Sequence, residues 1–255
     1  MTTSSGAIPV TPLLGVVVAI LLITATVVVS LGGYLRWPEI LGAGVRAAVQ
    51  LLAVSLVISQ IVRFPALVAA FVTVMFAVAA RTAGRRITAN RTWWMAALPI
   101  AAGVAPVAVL VLVSGAVPAT ALVTIPLVGQ LIGGALTATA LAGRRLLDEL
   151  RQRHGEVEAA LSLGLTDREA RIEIARPVAA GALVPALDQT RTVGTVTLPG
   201  AFVGMLLGGA TPIQAGAVQL FVLISLLAVE AIAVQVTLII VARGFLHAET
   251  DTSAR

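Results

Sequence analysis

The chain has no cysteine, no lysine and two histidines, and 11% of its 255 residues are charged. Without cysteine there are no disulfides and no thiolate chemistry, and a Cys/His metal site has almost nothing to draw on. Without lysine there is no G-x-x-x-x-G-K-[ST] nucleotide loop, so this chain does not bind ATP in that manner. Soluble domains carry about 25% charged residues. The low charge here, the 58% hydrophobic share and a mean hydropathy of +1.02 point to a membrane protein. The net charge of +5 is not a nucleic-acid signal. All 17 basic residues are arginines, and they fall mostly in short gaps between apolar runs, as membrane topology requires. No histidine lies in an apolar run and no nucleophile–base pair is evident there, so an intramembrane enzyme is disfavoured and no bound cofactor is expected.

Nothing between Thr2 and Leu35 carries a charge. That run is too long for a signal-peptide core and lacks a basic start, so it reads as a first membrane helix. Seven candidate spans follow, near 12–31, 42–61, 64–80, 93–113, 119–143, 177–210 and 212–242. The expected fold is therefore all-α, a polytopic membrane protein forming a single domain over 1–255, with membrane lipids as its surroundings. With the N-terminus outside, the cytoplasmic gaps hold Arg36 and Arg46, then Arg81, Arg85, Arg86 and Arg91, then the seven arginines of 144–176, then Arg243 and Arg255. The outer gaps hold Arg63 alone, a bias that predicts N-out/C-in. The stretch 177–210, interrupted by Asp188, Arg191 and Pro199, is long enough for one crossing or for a crossing with an elbow helix.

Residues 144–176 are the one substantial water-facing piece, with seven acidic residues beside the seven arginines. Leu146 to Leu163 is periodic enough for a helix that Gly164 ends. Thr166 with Glu169 three residues on forms a capping-box pattern for a second helix, and Pro177 leads to the next span. The prediction is a cytoplasmic helix pair at 144–177, able to dock on a soluble partner.

The order Glu158-Ala159-Ala160, Gly164, Ile174, Pro177 resembles the EAA coupling loop of ABC importer-type permeases, with Arg176 where that family usually has leucine. Over most of its length the chain resembles the FetB / UPF0014 family of ABC permeases associated with iron export. The resemblance rests on Ala48-Val49-Gln50-Leu51, Leu161–Thr166, and Leu183-Val184-Pro185, Thr192-Val193-Gly194 and Leu198-Pro199-Gly200. It implies an importer-like permease fold of about seven spans in a bacterial inner (plasma) membrane. It also implies a separate FetA-like ATP-binding subunit that uses the ATP, and a pair of permeases with a pair of ATPases. Metal export by alternating access follows from the resemblance alone.

Glu230, Asp188 and Arg191 are the charges nearest membrane depth, where each costs roughly 2.5–3.5 kcal/mol unless paired or hydrated. They read either as translocation-path groups or as structural partners, Asp188 with Arg191 one helical turn apart. Gln50, Gln130, Gln219 and Gln235 raise the same question less forcefully. Gly200, Gly204 and Gly208, and Gly129 with Gly133, recur every four residues, a spacing that lets helices approach. Met75, Met95 and Met205 read as packing residues, and no metal site is expected. The competing readings are an ABC permease for a different small solute and an ion-gradient transporter, whose usual matching halves are not evident.

Overall fold

A computed structural model describes residues 11–247 apart from 34 and 119. The tail arginine Arg255 and the first charge-free residues lie outside that range. Ten α-helices are described: α1 Pro12–Gly32, α2 Trp37–Ile61, α3 Pro65–Ile87, α4 Ala97–Val113, α5 Ala121–Gln152, α6 His154–Ser162, α7 Asp167–Ala180, α8 Val184–Thr192, α9 Gly200–Leu207 and α10 Pro212–Ala242. A 3₁₀ segment, Arg91–Ala96, precedes α4. The chain divides into two compact units after Pro65.

The first unit is the α1–α2 hairpin. Gly33, in the left-handed region at φ 65°, closes α1 by donating its N–H to the Val29 carbonyl. The helices then run antiparallel, with Leu22 seated on the bare backbone of Gly44. Apolar side chains such as Leu13, Ile20, Val49 and Leu56 stand exposed around both helices, a surface suited to hydrocarbon. Helix α2 begins at Trp37, five residues before the expected start, so Arg46 is carried on the helix.

The second unit is a bundle of α3, α4, α5 and α10. Met75 of α3 meets Gly129 of α5, and Ile87 meets Gly143, so those two helices run parallel. Leu226 and Glu230 of α10 flank Gly134, while Leu246 shares a cavity with Leu147, so α10 also runs parallel to α5. Val229 of α10 presses its carbonyl on Gly103 of α4. The core is built from small and branched residues, including Ala83, Ile100, Leu131, Ala135 and Val229, all fully buried.

Among the described residues six helices are long and apolar enough to cross a membrane: the four of this bundle, with the 3₁₀ segment joined to α4, and the two of the hairpin. The expected span at 177–210 is not one helix. It is divided among the end of α7, then α8 and α9, with Pro185 in the first turn of α8 and Pro199 before α9. Helix α5 overruns its expected end at Gly143, reaching Gln152. Its 32 residues make about 48 Å, well beyond the ~30 Å of hydrocarbon. Pro177 does not end a helix either; it lies inside α7, which continues to Ala180.

The arginine-rich segments of this unit gather at one end of the bundle. Arg81 and Arg85 lie 6.0 and 5.4 Å from the ring centre of Trp93, and Asn90 donates to the His247 carbonyl at 2.9 Å. The ends of α5 and α10 meet there.

Candidate functional site

The charged helix pair differs from its expected form in the first helix: Leu146 to Leu163 is not one helix but is divided at Arg153 between the end of α5 and α6. Gly164, at φ 95°, follows α6 in a conformation that suits glycine, and Thr166 starts α7. The Thr166 hydroxyl accepts from the Glu169 N–H, and the Glu169 carboxylate accepts from the Thr166 backbone, completing the capping box. The Thr166 hydroxyl and then its backbone N–H, both donating to this carboxylate, hold the Glu169 carboxyl below its ordinary range. At the other end Arg153 pairs with Glu149 and Glu156, lowering the Glu156 carboxyl in the same way.

The motif residues separate into two groups. Ile174 is buried and forms, with Val157 and Ala170, a small core on which Leu150 and Ala160 pack. Glu158, Ala159, Gly164 and Pro177 are exposed, Glu158 lying 3.4 Å from the His154 ring. Around Gly164 the pair presents three leucines: Leu161, Leu165 and Leu163, which is 83% exposed. Polar charge surrounds them, so this apolar tip is the unusual part of the loop.

The second half of α7 enters the bundle. Ala175 and Ala179 join Ala138, Ala142, Leu146 and Leu147 of α5 and Val234, Leu238 and Val241 of α10 in one buried cluster. A single helix of 14 residues, about 21 Å long, therefore links the exposed tip to α5 and α10.

At mid-bundle, α5, α8 and α10 enclose a groove of about 310 Å³. It brings together Glu230, Gln130, Gln189 and Thr137 with Gly133, Gly134 and Pro185. Asp188 and Arg191 are not part of it; they face each other across 3.9 Å on α8, both exposed, as the paired alternative expects. Gln50 is exposed on α2 in the first unit. A second cavity of about 300 Å³ lies between α9 and α10, lined by Phe202 and Gln219. The buried Gln219 carbonyl there has no hydrogen-bond partner among the described residues.

The residues of the chain from 13 to 246 match the model of "Uncharacterised protein family (UPF0014)". The chain belongs to the UPF0014 family. It is 32% identical over 213 residues to the UPF0014 membrane protein STAR2 of Oryza sativa subsp. japonica, covering 79% of this chain and 74% of that one. It is 34% identical over 150 residues to Protein ALUMINUM SENSITIVE 3 of Arabidopsis thaliana, covering 58% of this chain and 55% of that one. Over 153 residues it is 29% identical to the "Probable iron export permease protein FetB" of Escherichia coli, covering 58% of this chain and 57% of that one. The chain thus aligns with a little over half the length of the last two. No solved structure matches.

Within this UPF0014 chain the expected packing glycines behave differently from one another. Gly129 receives Met75, whereas a Cβ on Gly133, Gly200 or Gly204 would meet nothing within 4 Å. Gly208 caps α9. The closest approaches are elsewhere: a Cβ on Gly84 would lie 2.0 Å from the Trp93 carbonyl oxygen, and one on Gly103 2.6 Å from that of Val229. Neither belongs to a four-residue glycine repeat, which is why spacing did not reveal them. Among the described residues no three His, Cys, Asp or Glu side chains gather as a metal-holding group.

Proposed function

We propose that this multi-pass membrane protein is the permease subunit of an ATP-driven transporter, and that the α6–α7 pair docks on a separate ATP-binding subunit in the cytoplasm. The observation that carries the reading is the exposed leucine tip around Gly164, mounted on a capped helix whose other half packs between α5 and α10. An apolar tip on an otherwise charged, water-facing element suits a protein partner. A rigid helix then passes that partner's motion to the spans, and buried packing resists local bending.

Because α5 and α10 run parallel, the chain must return across the bundle between them. We read α8 and α9 as that return, a discontinuous seventh crossing, with the N-terminus outside and the arginine-rich end in the cytoplasm. The fold is then an importer-like permease. Two copies with two ATPases would line a central path, and the exposed Gly133, Gly200 and Gly204 are free to meet a second copy. The names of two relatives, one linked to iron export and one to aluminium sensitivity, make a metal ion the favoured cargo. This chain itself binds no ATP; the partner consumes it.

The test is co-purification with an ATP-binding subunit co-expressed with this chain. Glu158→Arg and Leu163→Asp should abolish association while the permease still inserts. Association unchanged in both variants would refute docking through this tip.

A further inference from the structure

The mid-bundle groove has a chemistry of its own. Every polar group that lines it offers oxygen: the Glu230 carboxylate, the Thr137 hydroxyl, and the side-chain amides of Gln130 and Gln189. No arginine lines it. The Thr137 hydroxyl donates its proton to the Gly133 carbonyl at 3.0 Å, so what it turns outward is lone pairs. Glu230 forms no ion pair or hydrogen bond among the described residues, although it is only half exposed on a helix chosen for apolar surroundings. Its place is made by Gly134: a Cβ there would stand 2.8 Å from Glu230 Oε1. The bare backbone of α5 thus admits a carboxylate where any larger residue would displace it.

We propose that this groove binds a hard divalent metal cation, held by Glu230 and completed by oxygens of Thr137, Gln130 and Gln189. Oxygen-only donors select hard cations over soft ones, which favour thiolate, thioether or imidazole. One carboxylate leaves a divalent charge half neutralised, so binding is weak and release is easy, as passage requires. A volume of about 310 Å³ holds on the order of ten waters at ~30 Å³ each, so the cation enters with much of its hydration. Gly134 acts as a positioning residue by keeping the carboxylate's space open. The proposal deepens the permease reading by naming a cargo class and the place where it pauses.

The test is direct binding of Mn²⁺ to the purified full-length chain in lipid nanodiscs, followed by the loss of the free-ion electron paramagnetic resonance signal. The wild type should bind Mn²⁺ in competition with Mg²⁺ and not with Ag⁺. Glu230→Gln should weaken binding by about tenfold or more, since it removes the only charged donor. Gly134→Ala and Thr137→Val should weaken it less, with unchanged thermal unfolding. Should Glu230→Gln fail to fold, Thr137→Val combined with Gln130→Leu provides the same decision. Wild-type affinity in the variants, or no binding at about 10 mM Mn²⁺, tenfold above the weakest natural oxygen sites, would overturn the site. A wild-type chain that ignores Mn²⁺ yet still co-purifies with its ATPase would refute the cation site and leave the permease reading standing.

Discussion

Ile174→Ala tests whether the α6–α7 pair is a rigid element. Ile174 is 9% exposed and forms the centre of a core shared with Val157 and Ala170. Truncating a buried isoleucine to alanine costs 2–5 kcal/mol, and the lower end applies because this core is small and near water. About 2 kcal/mol raises the population of the opened pair roughly 30-fold. The bundle meets this core only at Leu150, and the cluster that joins α7 to α5 and α10 is built on Ala175 and Ala179 instead. Trypsin reads the opening at Arg168 and Arg171, since the bond after Arg176 leads into Pro177 and is not cut. When opening and closing are fast, cleavage follows the open population. In inside-out vesicles the variant should be cut there about 30-fold faster, with its membrane level unchanged. Equal cleavage rates would show that this small core does not hold the pair together.

Other consequences follow from the same contacts. Gly103→Ala places a Cβ 2.6 Å from the Val229 carbonyl oxygen and should destabilise the bundle by about 1–3 kcal/mol, measured as a lower unfolding temperature in detergent. Gly133→Ala should not lower the isolated chain's stability, because nothing lies within 4 Å of the new methyl and alanine favours the helix interior; any loss of dimer in crosslinking would then locate a second copy there. Thr166→Ala should fray the start of α7, costing about 1 kcal/mol of local helix stability in hydrogen exchange. Glu169 and Glu156 have lowered folded pKa values, so their contribution is present above the unfolded carboxylate value of about 4.3 and is lost as pH falls through the lower folded values. Protection of the pair from exchange should therefore be flat from neutral pH down to about 5 and decline only below about 4.

Much of the fold was legible because membrane helices announce themselves by length. Thr211 and Pro212 cap α10 where its apolar run begins, and the expected limits of 212–242 are those observed. The overrun of α5 was harder to see. Arg144 and Arg145 look like a membrane boundary, but Leu146 and Leu147 continue the buried face and the helix does not stop for a change of solvent. The stretch 177–210 reads as apolar and therefore as a span, yet Pro185, Pro199 and glycines such as Gly194 divide it. Apolarity reports the surroundings of a segment, while proline and glycine decide whether it is one helix.

At the site, the capping box of Thr166 and Glu169 was legible because it is local. The division of the Glu158–Pro177 motif into core and surface was not, since it depends on which face α6 turns to α7. Glu230 was recognisable as an isolated charge. Its neighbours were not: Gly134, Thr137 and Gln189 reach it only through the packing of α5, α8 and α10. Gly134 stood next to a glycine that the four-residue spacing did single out.

The most direct measurement uses the absence of cysteine in this chain. Leu163→Cys supplies a single thiol at the exposed tip, and a thiol-reactive crosslinker of short reach can be applied to inside-out vesicles carrying permease and ATPase. A covalent permease–ATPase adduct whose yield changes when ATP is bound is the predicted result. A thiol that reacts with membrane-impermeant reagent only from the outer face, and yields no adduct, would contradict the account.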